Sequence, residues 1–127
     1  MKSRKILMID DELNYCLLVK TNLSKQGGFE VSYATDGARG ISMAKEINPD
    51  LILLDVRMPG MDGLEVLKKL KADQKTSFIP VVMLSAIESE DSKMQATQLY
   101  DEDYLVKTIG AAELVTRLEE ILSRRGK

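Results

Sequence analysis

The feature that most constrains this chain is a regular beat of short apolar runs and amphipathic stretches. Ile6-Leu7-Met8-Ile9 and Leu51-Ile52-Leu53-Leu54 are apolar without a break, and Pro80-Val81-Val82-Met83-Leu84 is a third such run. Runs this short and this apolar suit strands covered on both faces, since a strand with one wet face alternates. Phe29 to Ala34 does alternate, and Asp103 to Val106 is a short fifth segment; both also read as strands. Helical patterns fill the gaps. One runs from about Leu13 to Lys25 and is ended by Gly27-Gly28. The next spans about Gly37 to Ile47, with Thr35 or Asp36 as its cap, and the third about Leu64 to Ala72. A weakly amphipathic fourth is expected from about Glu88 to Leu99. The last, about Ala111 to Arg124, puts Leu114, Val115, Leu118, Ile121 and Leu122 on one stripe.

Five strand–helix pairs in succession predict an α/β domain with a doubly wound parallel sheet. The crossovers are right-handed and helices cover both faces. With 127 residues, residues 1–127 are read as one domain, its core about 5–123, followed by a short polar tail. That length buries a core without staples. In such sheets the ligand site lies at the carboxyl ends of the strands. The residues that follow each strand therefore carry the functional argument.

The first strand ends in Asp10-Asp11, with Glu12 next; the third ends in Asp55, the fourth in Ser85 and the fifth in Lys107. If the fold is right, three aspartates, a hydroxyl and an ammonium meet at one rim. Carboxylates crowded into a cleft repel one another, and a lysine offsets only part of that. A hard divalent cation offsets more, and an all-oxygen ligand set with room for a phosphate suits Mg²⁺. Asp11 and Asp55 would bind it directly, Asp10 through water, and the backbone carbonyl of Arg57 would add another oxygen. Asp55, central on a rigid strand, is the natural nucleophile for a phosphoryl group. Lys107 would pair with one phosphoryl oxygen and Ser85 would hydrogen-bond another.

Each residue also has a plainer use. Asp10-Asp11 could cap a helix, Asp55 could be a turn residue, and Lys107 could be a solvated surface lysine. Their joint placement at four strand ends is what argues for chemistry. Composition narrows the choice further. The chain has no histidine, which excludes Ser-His-Asp and Cys-His triads and His-ligated zinc. The single cysteine, Cys16, excludes an internal disulfide and reads as a buried structural thiol. A net charge of −2 gives no reason to expect direct nucleic-acid binding. No run of about 18 apolar residues is present to span a membrane.

The chain resembles the response-regulator receiver family of two-component signalling over about Lys5 to Ser123. The motifs that carry the resemblance are Ile9-Asp10-Asp11-Glu12, Leu53-Leu54-Asp55 with Val56-Arg57-Met58-Pro59-Gly60-Met61-Asp62-Gly63, Met83-Leu84-Ser85-Ala86, and Asp103-Tyr104-Leu105-Val106-Lys107. The resemblance implies a flavodoxin-like (βα)₅ fold with strand order 2-1-3-4-5. It implies that Asp55 accepts phosphate from a histidine kinase or phosphotransfer protein, with Mg²⁺ held by Asp10, Asp11 and Asp55. It places Ser85 and Lys107 at the family's hydroxyl and lysine positions. Tyr104 falls at its aromatic switch, a ring that turns inward when the hydroxyl moves toward phosphate. A simpler use of Tyr104 is packing on the last helix. The implied output surface is the fourth helix, fifth strand and last helix, which would also mediate a phosphorylation-dependent homodimer. A cytoplasmic, bacterial signalling role follows from the resemblance, with no enzymatic turnover beyond self-catalysed phosphoryl acceptance and loss. Whether the chain stands alone or belongs to a longer regulator is open, as are the kinase and the output partner.

Some positions depart from the family pattern. Thr108 follows Lys107 where relatives usually have a cis proline; a cis bond before a non-proline residue costs about 2.5–4 kcal/mol. Tyr100-Asp101 replace a Gly-Ala pair, and Arg57 and Ile87 flank the site where relatives tune phosphate lifetime. The departures at Lys107-Thr108 and Tyr100 motivate an alternative, a receiver-like binding module that works without phosphorylation. A haloacid-dehalogenase-type phosphatase would need a second aspartate two residues after Asp55, where Arg57 stands. A flavodoxin-type flavin protein would need a phosphate-cradling loop after the first strand, which is missing.

Overall fold

A computed structural model describes residues 3–86 and 102–126. Its strands are β1 (Lys5–Ile9), β2 (Glu30–Ala34), β3 (Leu51–Asp55), β4 (Val81–Ser85) and β5 (Asp103–Val106). The described helices are α1 (Leu13–Gly27), α2 (Gly37–Ile47), α3 (Gly63–Ala72) and a C-terminal helix, Ala111–Arg124. The expected fourth helix, Ile87 and the Tyr100-Asp101 pair lie outside the described residues.

All strand pairs are parallel and the order is β2-β1-β3-β4-β5, as expected. Each apolar run is divided between two cores by the two-residue period of a strand. Ile6, Met8, Leu51, Leu53, Val82, Leu84 and Leu105 face α1 and the C-terminal helix. Leu7, Ile9, Ile52, Leu54, Val81 and Met83 face α2 and α3. Continuous runs are thus required because neither face is wet.

Helix ends follow local chemistry. Gly28 takes a left-handed φ of 67° and its N–H closes α1 on the Leu23 carbonyl. Of the two cap candidates for α2, Asp36 serves; its carboxylate accepts from the Arg39 N–H at 2.8 Å. Asp62 caps α3 in the same way on Glu65. Gly63 begins α3 hard against the end of β3. A Cβ there would lie 2.3 Å from the Asp55 carbonyl oxygen, so only glycine lets the helix dock at that point. The five stripe residues of the C-terminal helix are all buried.

Candidate functional site

The carboxyl ends of β1, β3, β4 and β5 meet at one rim. Asp10 directly follows β1, Asp55 and Ser85 end β3 and β4, and Lys107 directly follows β5. Parallel pairing forces this meeting, since Asp55 lies opposite Leu84 and Ser85 opposite Val106. Asp11, Glu12, Asp55, Arg57, Ser85 and Lys107 line a cleft of about 300 Å³. Asp10 is not part of that lining but pairs with Lys107, which is.

The two members of the Asp10-Asp11 doublet differ. Asp10 is fully buried, whereas Asp11 is exposed. Asp10 Oδ1 accepts from the Glu12 N–H at 2.9 Å. Its Oδ2 has the Lys107 ammonium at 2.9 Å as an ion pair, but no donor aligned on it for a hydrogen bond. Lys107 Nζ also lies 2.8 Å from Glu12 Oε1 and 3.3 Å from Asp55 Oδ1. The Arg57 N–H donates to Asp55 Oδ1 at 3.4 Å. One ammonium therefore serves three carboxylates.

The imbalance appears in the titration of these groups. Burial, reinforced by the charge of Asp10, pushes Asp55 up to about 7. Burial also raises Asp10, against the pull of Lys107. For Lys107, burial opposes the charge, but the ion pairs with Glu12 and Asp10 outweigh it and raise its pKa. Cys16 is buried below, its thiol on the Asp10 carbonyl at 3.4 Å and pushed up to about 11 by burial. It is an inert structural thiol, as its sequence context suggests.

Carboxylate oxygens of Asp10, Asp11 and Asp55 lie within 4.8 Å of one another, close enough to share one metal ion. The donor set is all oxygen, and one buried lone-pair atom, Asp10 Oδ2, lacks an aligned donor. Both features fit a hard divalent cation and argue against a soft one. The residues present therefore fit Mg²⁺.

One question left open by the sequence has an answer, and one expectation needs adjustment. Among the described residues no peptide bond is cis, so Lys107–Thr108 is trans, and Lys107 still reaches Asp10 and Asp55. Tyr104 is half-buried, but it packs against the α2–α3 core, on the face of the sheet opposite the C-terminal helix. Sequence reasoning also missed two contacts on Lys107, those of Glu12 and Tyr15. Both come from the start of α1, Glu12 as its N-cap and Tyr15 in its first turn, and their distance from Lys107 along the chain hides them.

Comparison with known proteins agrees with this fold. A family model, the response regulator receiver domain, matches residues 6–119. The DNA-binding dual master transcriptional regulator RpaA of Synechocystis is 38% identical over 120 residues, covering 94% of this chain and 49% of that protein. The transcriptional regulatory protein PrrA of Mycobacterium tuberculosis is 39% identical over 124 residues, covering 98% of this chain and 52% of that protein. The chain spans about half the length of these relatives. The Vibrio cholerae chemotaxis protein CheY4 superposes with a TM-score of 0.85 at 29% identity, covering 94% of this chain and 99% of that one. A CheY-like receiver domain from Methanospirillum hungatei reaches 0.88 at 22% identity, over 98% of each chain, which speaks for the fold alone. With a family match across most of its length and a rim of acids where the parallel strands end, the chain belongs to the response regulator receiver domains of two-component systems.

Proposed function

We propose that Asp55 is the phosphoryl acceptor of this receiver domain. A carboxylate oxygen of Asp55 forms the new bond to phosphorus. The bond from phosphorus to the donor's nitrogen or oxygen breaks; a histidine leaving group takes up a proton from solvent or its own protein, and an acyl phosphate releases a carboxylate. The donor class is a phosphohistidine on a histidine kinase or phosphotransfer protein, or a small acyl phosphate. The observation that carries this reading is the meeting of Asp10, Asp11, Asp55 and Lys107 at one rim, under an open cleft.

Asp10, Asp11, Asp55 and the Arg57 carbonyl would hold Mg²⁺, which supplies charge neutralisation for an incoming phosphoryl group. Lys107 is within reach of Asp55 and can pair with a phosphoryl oxygen bonded to it. Ser85, buried at the end of the neighbouring strand, offers a hydroxyl to a second oxygen. The phosphoryl group brings extra charge and acceptor oxygens, so Lys107 and Ser85 gain contacts that the unmodified protein lacks. Those differential contacts are what can shift a two-state equilibrium. Tyr104, two residues from Val106 on β5, is the residue assigned to relay the shift to an output face.

The test is incubation with Mg²⁺ and acetyl phosphate, read by intact mass. A phosphate-sized gain that disappears in Asp55→Asn is the expected result. No gain with any phosphodonor would favour a binding module that works without phosphorylation.

A further inference from the structure

We infer that Tyr15 is the positioning residue for Lys107, gripping that lysine at both its backbone and its ammonium. The inference rests on the phosphoryl-acceptor reading of the same site and adds a residue to it.

Lys107 follows a four-residue strand, and its ammonium stands at the end of a flexible stem. Three carboxylates compete for it. Glu12, the most exposed, makes the shortest contact at 2.8 Å, whereas Asp55 lies at 3.3 Å. Asp10 and Asp55 draw the ammonium inward, but solvation and the freedom of the stem favour an outward swing to the exposed Glu12. Tyr15 opposes that swing. The Lys107 ammonium sits over the Tyr15 ring, 5.0 Å from its centroid. The Tyr15 hydroxyl donates a long hydrogen bond of 3.4 Å to the Lys107 carbonyl. From the other side, the Lys107 N–H donates to the Ser85 carbonyl at 2.7 Å. The backbone is thus held between Ser85 and Tyr15, and the head group lies on the same ring.

Tyr15 is itself fixed. It is half-buried and packs against the core between α1 and the C-terminal helix. It sits one helical turn after Glu12 and next to Cys16, whose thiol meets the Asp10 carbonyl. Burial pushes the phenol up to about 12, so it remains a donor at neutral pH. The N-cap and first turn of α1 thereby carry the competitor for the ammonium and the residue that restrains it.

The test compares Tyr15→Phe and Tyr15→Leu with the wild type in two measurements. The first needs neither Mg²⁺ nor phosphate. In proton–carbon correlation spectra the Lys107 ε-protons, assigned by their loss in Lys107→Ala, should be shifted upfield by the ring. The shift should persist in Tyr15→Phe and vanish in Tyr15→Leu. The second is the rate of acetyl-phosphate labelling of Asp55 at saturating Mg²⁺. It should fall about tenfold in Tyr15→Leu and about threefold in Tyr15→Phe, with Mg²⁺ affinity unchanged. A merely structural role would lower the folded fraction in Tyr15→Leu and leave the rate per folded molecule intact. If Tyr15→Leu does not fold, Tyr15→Met replaces it. Unshifted ε-protons in the wild type, or wild-type labelling without the ring, would overturn the inference. If the wild type itself takes no phosphate, the acceptor reading fails instead, and the ε-proton shift alone decides whether Tyr15 holds Lys107.

Discussion

Charge is buried at both ends of the sheet, and the two ends treat it differently. Among the described residues three carboxylates are buried: Asp10, Asp55 and Glu102. Glu102 lies at the amino ends of the strands and is matched. One oxygen pairs with Lys71 of α3. The other accepts the Val81 N–H at 2.8 Å and has Arg125 at 3.4 Å. Lys71 is matched in turn, donating to the Ser77 and Ile79 carbonyls at 3.1 and 2.9 Å. At the carboxyl ends, Asp10, Asp55 and Glu12 share the ammonium of Lys107, and Asp10 Oδ2 has no aligned donor. A satisfied cluster fastens α3, β4, β5 and the C-terminal helix together. An under-neutralised one is held ready for a ligand with positive charge.

The comparison is most exposed to Glu102→Ala. That change takes the counter-charge from Lys71 and the acceptor from the Val81 N–H, and breaking a buried ion pair costs about 3–5 kcal/mol. Urea denaturation should show a loss of that size, with acetyl-phosphate labelling retained by the folded protein. A loss under about 1 kcal/mol would mean the lower cluster is no fastener.

Asp55→Asn should act in the opposite direction. Removing a carboxylate from the crowded rim should stabilise the metal-free protein by about 1–2 kcal/mol at pH 8, allowing for screening in the open cleft. The effect has a defined pH signature. Burial holds Asp55 at about 7, above its ordinary value of 3.8, so the folded state keeps its proton more firmly than the unfolded chain. With chelator present, the contribution of Asp55 to stability should be fullest below pH 4 and decline as pH rises from about 4 through about 7. Asp55→Asn should flatten that decline, and Mg²⁺ should offset it in the wild type. A wild-type curve that rises relative to that of Asp55→Asn across this window would refute the account of the rim.

Arg125→Ala is the smallest test. Arg125 is partly exposed and the Glu102 oxygen it approaches already has the Val81 N–H, so a loss of less than about 1 kcal/mol is expected. A larger loss would show that Lys71 alone does not satisfy Glu102.

The two clusters were not equally legible in the sequence. Asp10, Asp55, Ser85 and Lys107 stand directly at the ends of strands that the apolar runs announce, so the rim follows from topology alone. Glu102 gives no such signal. It is one acid in Asp101-Glu102-Asp103, and its partners Lys71 and Arg125 lie on helices distant in the chain. The grip of Tyr15 on Lys107 is hidden for the same reason: it depends on how α1 packs beside the loop after β5. Patterning also cannot separate Asp10 from Asp11, because which of the two points into the sheet is set by the exit of the chain from β1. Strand and helix limits differ from expectation by a residue or two. The third helix begins at Gly63, not Leu64, and α1 runs on to Gly27 because Gly28 can take the left-handed turn that Gly27 does not.

The most direct measurement of the central claim is to trap the acyl phosphate. Wild-type protein labelled with acetyl phosphate and Mg²⁺ would be reduced with borohydride, which converts an aspartyl phosphate to homoserine, and then mapped by peptide mass spectrometry. The account predicts homoserine at position 55 and nowhere else, and none when Mg²⁺ is chelated. Homoserine at position 10 or 11, or reduction at 55 that persists in chelator, would contradict it.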